Sequence, residues 1–281
     1  MLTQAEIIAN TKRLDGRCPI HGLPMMQLNI AVKIAGEDKP RKPSPICPKC
    51  AQEQRDKKEE ELVKESLKNN LYLRTYDVLM RDSTIPEELK SASFDNFVVK
   101  TIQEKQMLDF AKAQTQKYLN GFEGNTLLTG TTGVGKTHLA IALAKELNET
   151  YKDKGTPKSA LFVNLTEILR RIRESFKFDS KEGYYSRLLM DVDYLILDDL
   201  GVKLGESSGR SKSAWEEEFI FDVLSHRKNT IITTNLSNNE IANLYSERVA
   251  SRIRTGLEGN VFRAVDIEDK RYTLNQLKIK G

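Results

Sequence analysis

Leu127-Leu128-Thr129-Gly130-Thr131-Thr132-Gly133-Val134-Gly135-Lys136-Thr137 decides the reading of this chain, because it fits G-x-x-x-x-G-K-[ST] between an apolar run and a helix. In such a loop the glycines take backbone angles closed to other residues. Successive N–H groups and the following helix N-terminus then converge on one anion. The arrangement predicts a nucleotide phosphate. Lys136 is expected to reach the β- and γ-phosphates of ATP and the Thr137 hydroxyl to hold Mg2+, with Gly130, Thr131, Thr132, Gly133, Val134 and Gly135 forming the cradle. His138, next in the chain, falls in the same nucleotide-binding stretch, while its side chain, like that of His226, reads as structural. The flanks supply the context that the motif needs. Residues 125–129 read as a short buried strand, and residues 136–148 set Leu139, Ile141, Ala142, Leu143 and Leu147 at packed-helix spacing.

Downstream, strands and helices alternate. Residues 160–164 are strand-like, 166–176 amphipathic with Ile168, Leu169, Ile172 and Phe176 inward, 194–197 apolar, 214–227 helical and 230–234 β-branched. This order predicts an α/β fold with a parallel sheet covered by helices on both faces, so its strands read as continuous apolar runs. Upstream, Ile102, Met107, Leu108, Phe110, Ala111 and Tyr118 mark a helix over 101–119 that lies on this core. Trp215 reads as a packing residue.

Two strands end in groups suited to phosphate chemistry. The strand Tyr194-Leu195-Ile196-Leu197 runs into Asp198-Asp199. A carboxylate at a strand's C-terminal edge can hold Mg2+ and a second can orient the attacking water, so Asp198 is assigned to the metal and Asp199 to the water. Thr230-Ile231-Ile232-Thr233-Thr234 ends at Asn235, which is expected between the P-loop and the Asp198 strand, able to hydrogen-bond the γ-phosphate or the water. Arg170, Arg173 and Lys177 recur at helical spacing opposite an apolar stripe, with Arg171 beside them. Such a row can track a single-stranded DNA backbone or serve as plain solvated surface.

The chain has three cysteines, a number that cannot all pair internally. Cys18-Pro19-Ile20-His21 and Cys47-Pro48-Lys49-Cys50 are two C-x2-C/H clips with 25 residues between them. Two residues between ligands let both side chains of a clip face one tetrahedral ion, so Cys18, His21, Cys47 and Cys50 are read as a closed, structural Zn2+ site. Charged residues make up 30% of the 281, no apolar run reaches membrane-span length, and no secretory pattern opens the chain, so the cytoplasm is the expected compartment. A net charge of +4 is too small to argue for nucleic acid by itself. The expected organisation is a zinc module over 1–52, a charged helical linker over 53–90 broken at Ile85-Pro86, and the ATPase domain over 91–281.

Four stretches together resemble a family: Ser-Phe-Asp-Asn-Phe at 93–97, Gly-Val-Gly-Lys-Thr-His-Leu-Ala at 133–140, Leu-Ile-Leu-Asp-Asp-Leu-Gly at 195–201, and Thr-Thr-Asn-Leu at 233–236 with Glu-Arg-Val-Ala-Ser-Arg-Ile-Arg at 247–254. The family is that of AAA+ ATPases of the DnaC/DnaI helicase-loader type, with the IstB transposition ATPases close by. The resemblance implies an AAA+ P-loop ATPase core with a truncated lid, since only 46 residues follow Asn235. It implies self-association through an arginine offered to a neighbour's ATP, matching Arg252 here with Arg248 second, and a nucleotide-sensing arginine matching Arg271. The Cys/His module resembles that of the DnaI type, whose implied role is docking on a hexameric replicative helicase of the DnaB type. Loading of that helicase onto single-stranded DNA is the implied activity. A transposition regulator of the IstB type and a zinc-dependent adaptor with a purely structural nucleotide site are the alternatives.

Overall fold

The computed structural model describes residue 6, residues 9–32, 39–176, 181–201 and 214–265, and residues 267, 269 and 270. The chain divides into two compact units, Met1–Asn70 and Leu71–Gly281. The first unit holds an antiparallel hairpin of β1 (Thr11–Arg17) and β2 (Pro24–Leu28), followed by most of the long helix α1 (Pro48–Arg74). Pro48 suits a first helical turn, because its missing N–H has no intrahelical acceptor there. Helix α1 therefore begins inside the expected zinc module and runs without a break through residue 52. It has no buried residue, and Leu62, Val63 and Leu67 are exposed.

The second unit is built on a five-stranded sheet. Its strands are β3 (Gly124–Gly130), β4 (Ala160–Asn164), β5 (Tyr194–Asp198), β6 (Asn229–Thr234) and β7 (Val261–Ala264), in the order β4-β5-β6-β3-β7 with every pairing parallel. Alternate side chains serve opposite faces. Leu127, Leu161, Val163, Leu195, Leu197 and Ile232 pack against α5 (Leu165–Ser175), α7 (Ala214–Ser225), the short α8 (Asn238–Leu244) through Ile241, and α9 (Glu247–Arg254). Leu128, Phe162, Tyr194, Ile196 and Ile231 meet α3 (Ile102–Leu119) and α4 (Lys136–Asp153) on the other face. In α4, Leu139, Ile141, Leu143 and Leu147 are fully buried, and each stabilises the fold by roughly 1.5–3 kcal/mol.

Several expected details differ. Helix α5 ends at Ser175, so Phe176 falls past its last turn and is not inward: it is 48% exposed, edge-on to Trp215 at 5.1 Å. Trp215 in turn stacks on Phe219 in the packing role expected of it. Ile102 opens α3 on the solvent side at 75% exposure, while the first turn is held by a reciprocal cap between Thr101 and Glu104. Helix α7 stops at Ser225 rather than 227, because Arg227 leaves the helix to donate to the carbonyls of Leu189, Val192 and Asn229 at 2.6, 2.8 and 3.0 Å. Those bonds cap the end of α6 (Glu182–Asp191), and burial pushes the guanidinium down to about 10.

The Ile85-Pro86 break is preceded by α2 (Val78–Asp82) and a segment that covers the β4 edge. Thr84 N donates to Phe162 O, Phe162 N to Ser83 Oγ and Asn164 N to Thr84 Oγ1, all at 2.8–2.9 Å. Among the described residues, no helix is long and apolar enough to cross a membrane.

Candidate functional site

The sheet order places the ends of β3, β6 and β5 side by side, and each carries part of the site. From β3 the chain turns through Gly130, Gly133 and Gly135, all at positive φ. Two of these glycines are also sites of close approach. A Cβ on Gly133 would lie 1.9 Å from Asp269 Oδ1, and one on Gly135 would lie 2.6 Å from the Phe97 ring. Lys136 is buried, and its ammonium donates to Gly130 O, Thr131 O and Asn235 Oδ1 at 2.8, 2.8 and 2.7 Å. Its charge is thereby held at the mouth of the loop. His138 points away from the loop, its Nε2 2.9 Å from Ser93 O and its ring edge-on to Phe97.

Asp198 closes β5 and is buried. Its Oδ1 accepts from Thr137 Oγ1 at 2.9 Å and Thr233 Oγ1 at 2.6 Å. Burial first, and the Asp199 charge second, push the Asp198 carboxyl up to about 6. A hydroxyl and a carboxylate so placed are hard oxygen donors, which suit Mg2+. Asp199 sits at φ 56, alone among non-glycine residues described here in having positive φ. Asp tolerates the left-handed region better than most side chains.

The raised Asp198 value has a stability consequence. Between pH 3.8 and about 6 the folded state holds a proton that the unfolded state has lost, so stability falls as pH rises through that window. Asp198→Asn is therefore expected to make the nucleotide-free protein more stable above pH 6, by up to about 3 kcal/mol, with the gain vanishing below pH 4. The same variant should lose the stabilisation that Mg·ATP confers. Thermal melts across pH, with and without Mg·ATP, check both; a wild-type pH profile in the variant would remove the burial argument.

Three supporting side chains have no role assigned to them by the sequence patterns. Asn164, at the end of β4, accepts from Glu167 N at 3.1 Å to cap α5 and donates from Nδ2 to Asp199 Oδ2 at 3.3 Å. Thr233 bridges the acid pair, accepting from Asp199 N at 3.1 Å while donating to Asp198. Phe97 lies under Gly135 and carries the Lys270 ammonium 3.7 Å from its ring centroid. Lys270 also pairs with buried Glu104 at 3.1 Å, and its N–H donates to Gly133 O at 3.0 Å. The signal for Phe97 was present, since it ends the Ser-Phe-Asp-Asn-Phe entry. Arg271 and Lys177 lie outside the described residues.

The remaining arginines divide into paired and unpaired sets. Arg170 bonds Glu174 at 2.7 Å, Arg171 bonds Glu167, and Arg173 bonds the buried Glu216 of α7. On α9, Arg254 pairs with Glu247, whereas Arg248 and Arg252 have no carboxylate partner among the described residues. Their guanidinium carbons lie 4.1 and 5.7 Å from the Phe221 ring centroid.

In the first unit, Cys18, His21, Cys47 and Cys50 come together, their ligand atoms all within 4.8 Å of one another. The Cys18 and Cys50 sulfurs are 3.6 Å apart, and His21 Nδ1 lies 3.3, 3.7 and 3.9 Å from the sulfurs of Cys50, Cys47 and Cys18. Tetrahedral zinc with ordinary Zn–S and Zn–N bonds requires edges of about 3.8 and 3.6 Å, so the set fits that ion. The His21 backbone N–H lowers the Cys18 thiol to about 7, and burial together with the neighbouring sulfurs raises Cys50 to about 11. A divalent cation relieves such crowding of thiolates. His21 Nε2 is 3.1 Å from Glu53 Oε1, one helical turn beyond Cys50, which fixes the tautomer that leaves Nδ1 free to ligate.

A P-loop followed by a buried acid pair, on a parallel sheet with a polar strand end between them, defines a P-loop ATPase of the AAA+ class. The chain belongs to the IstB-like ATP binding protein family, whose sequence profile matches residues 52–253. It is 30% identical over 175 residues to the replicative helicase loader DnaC of Escherichia coli (strain K12), covering 59% of this chain and 64% of DnaC. The chain thus matches somewhat less than two thirds of that relative's length. It is 29% identical over 201 residues to the chromosomal replication initiator protein DnaA of Ruegeria sp. (strain TM1040), covering 67% of this chain and 38% of DnaA. Among solved structures, that of DnaI is similar with a TM-score of 0.50 and 22% identity, covering 64% of this chain and 95% of that one, a likeness of fold.

Proposed function

We propose that this protein is an ATP-dependent loader that binds a hexameric replicative DNA helicase of the DnaB type and delivers it to single-stranded DNA. The observation that carries the reading is the convergence of Lys136, Thr137, Asp198, Asp199 and Asn235 at one sheet edge in a chain related to DnaC. Lys136 neutralises the β- and γ-phosphates. Thr137 and Asp198 would hold Mg2+, which supplies charge neutralisation of the phosphates when bound. Asp199 orients a water and takes its proton as the water oxygen bonds the γ-phosphorus; the bond from that phosphorus to the β–γ bridging oxygen breaks, giving ADP and phosphate. Asn235, already within reach of Lys136, hydrogen-bonds the γ-phosphate or the water.

Arg252, with Arg248 second, is offered to the ATP of a neighbouring copy, and its want of a carboxylate partner among the described residues supports that use. The zinc unit docks on the helicase, with zinc in a structural role. Contact with single-stranded DNA through Arg170 and Arg171 exchanges Glu174 and Glu167 for phosphates, whereas Arg173 is committed to Glu216. The division into a zinc module over 1–52, a linker over 53–90 and an ATPase domain over 91–281, acting in the cytoplasm, is part of the same reading.

The test is a pull-down of the replicative helicase from the source cell, with and without ATP, by the wild-type chain and by a Cys47→Ser chain. Capture that needs both ATP and Cys47 is the expected result. Retention of a transposase and no helicase would favour the transposition-regulator reading, and full loading by Lys136→Ala would favour the adaptor.

A further inference from the structure

The root of the P-loop strand and the end of the arginine helix are tied by one buried side chain. Asn125, the second residue of β3, is 6% exposed and donates from Nδ2 to Arg252 O at 2.8 Å and Ile253 O at 3.0 Å. Its backbone N–H donates to Thr255 O at 2.9 Å. The last carbonyls of a helix have no intrahelical donor, and here Asn125 supplies one to the residue that bears the trans arginine. Next to it, Gly124 and Gly256 meet backbone to backbone, since a Cβ on Gly256 would lie 2.7 Å from Gly124 Cα. The loop beyond is clipped to the same strand, with Leu127 N donating to Asn260 O at 3.0 Å.

We infer that Asn125 is a positioning residue for catalysis in trans: it sets the pitch of α9, and so the reach of Arg252 toward a neighbour's γ-phosphate, in register with the chain's own phosphate loop. Val249 and Ile253, both buried, fix the roll of α9 about its axis, and Phe221 restrains the two guanidinium groups laterally. Along the helix axis α9 is held further by Asn125, whose two side-chain bonds end on consecutive carbonyls, Arg252 O accepting also from Thr255 N at 3.3 Å. The other end of β3 opens into Gly130, about 17 Å away at the usual rise per strand residue, so one rigid strand spans both functions. An arginine acting on developing charge is sensitive to placement, and about 1 Å of error costs up to about 100-fold.

The inference rests on the reading of Arg252 as the trans arginine, and the experiment separates the two. ATP hydrolysis per protomer is measured as protein concentration rises, for wild type, Asn125→Ala, Asn125→Ser, Arg252→Ala and Asp199→Asn, and for mixtures of these. Asn125→Ala is expected to lower kcat at high concentration by about 10-fold or more with KM and nucleotide affinity unchanged, and the Ser variant, which keeps one short donor, to fall between. Mixing Asn125→Ala with Asp199→Asn should restore hydrolysis, because the latter offers an intact arginine to the intact site of the former. Mixing Asn125→Ala with Arg252→Ala should not. Failure of the first mixture, or loss of nucleotide binding by both Asn125 variants, would overturn the inference by showing that Asn125 serves its own site. Wild-type behaviour of Asn125→Ala with an impaired Arg252→Ala would also overturn it, while a fully active Arg252→Ala would remove the trans arginine itself.

Discussion

Asp199→Asn is expected to leave a folded protein that binds ATP with wild-type affinity and hydrolyses it about 100- to 10,000-fold more slowly. The variant isolates the carboxylate, because Asn accepts the left-handed backbone at φ 56 nearly as well as Asp does. Its amide oxygen can still accept from Asn164 Nδ2, the bond that orients Asp199 now. What is lost is the ability to take a proton from water. Asp199→Ala would confound that loss with backbone strain and an unpaired Asn164 amide. Phosphate release under saturating ATP, beside equilibrium binding of a fluorescent ATP analogue, distinguishes the outcomes. Hydrolysis at the wild-type rate would move water activation to another group.

Zinc removal is expected to have the larger effect on folding. Among the described residues of Met1–Asn70, only Cys18 and Cys47 are buried, and both are ligands of the candidate zinc site. The hairpin strands present half-buried and exposed side chains, so the described residues build no apolar core that holds this unit. A zinc ion at the candidate site is expected to supply the stability, of the order of 10 kcal/mol for a structural zinc. Chelation, or Cys47→Ser, should therefore unfold the hairpin and release about one zinc per chain. Nucleotide binding by Leu71–Gly281, whose core is apolar and separate, should persist. Metal analysis with proteolysis of the chelated protein checks this. A protease-resistant, zinc-free hairpin would show that something other than metal holds it.

Much of the ATPase core was legible in the sequence because its determinants are local. The P-loop needs glycines at fixed offsets, a parallel strand needs a continuous apolar run, and both patterns lie within a dozen residues of Lys136. Element ends were less legible. Phe176 fits the apolar period of α5 and still lies outside it, since the helix stops one residue earlier and the ring finds Trp215 of another helix. Arg227 fits a helix C-terminus by type and instead leaves it, because the unpaired carbonyls of α6 and the β6 start compete for its donors. The edge cover by Ser83 and Thr84 left only a faint trace, two hydroxyl residues ahead of Ile85-Pro86, and their acceptors and donors lie on β4 some 80 residues on.

By itself, the sequence determined which chemistry is available: a phosphate cradle with its lysine, an acid pair at a strand end, and four candidate metal ligands in two clips, each encoded by close spacing that acts before any long-range contact forms. Only the tertiary structure decided how those groups are held. Asn164 on Asp199, Glu53 on His21, Thr233 across the acid pair and Asn125 beneath Arg252 join residues 32 to 127 positions apart. Hydrogen bonds of that separation depend on strand order and helix placement, which no local pattern carries, so their partners exist only once the sheet has set the register.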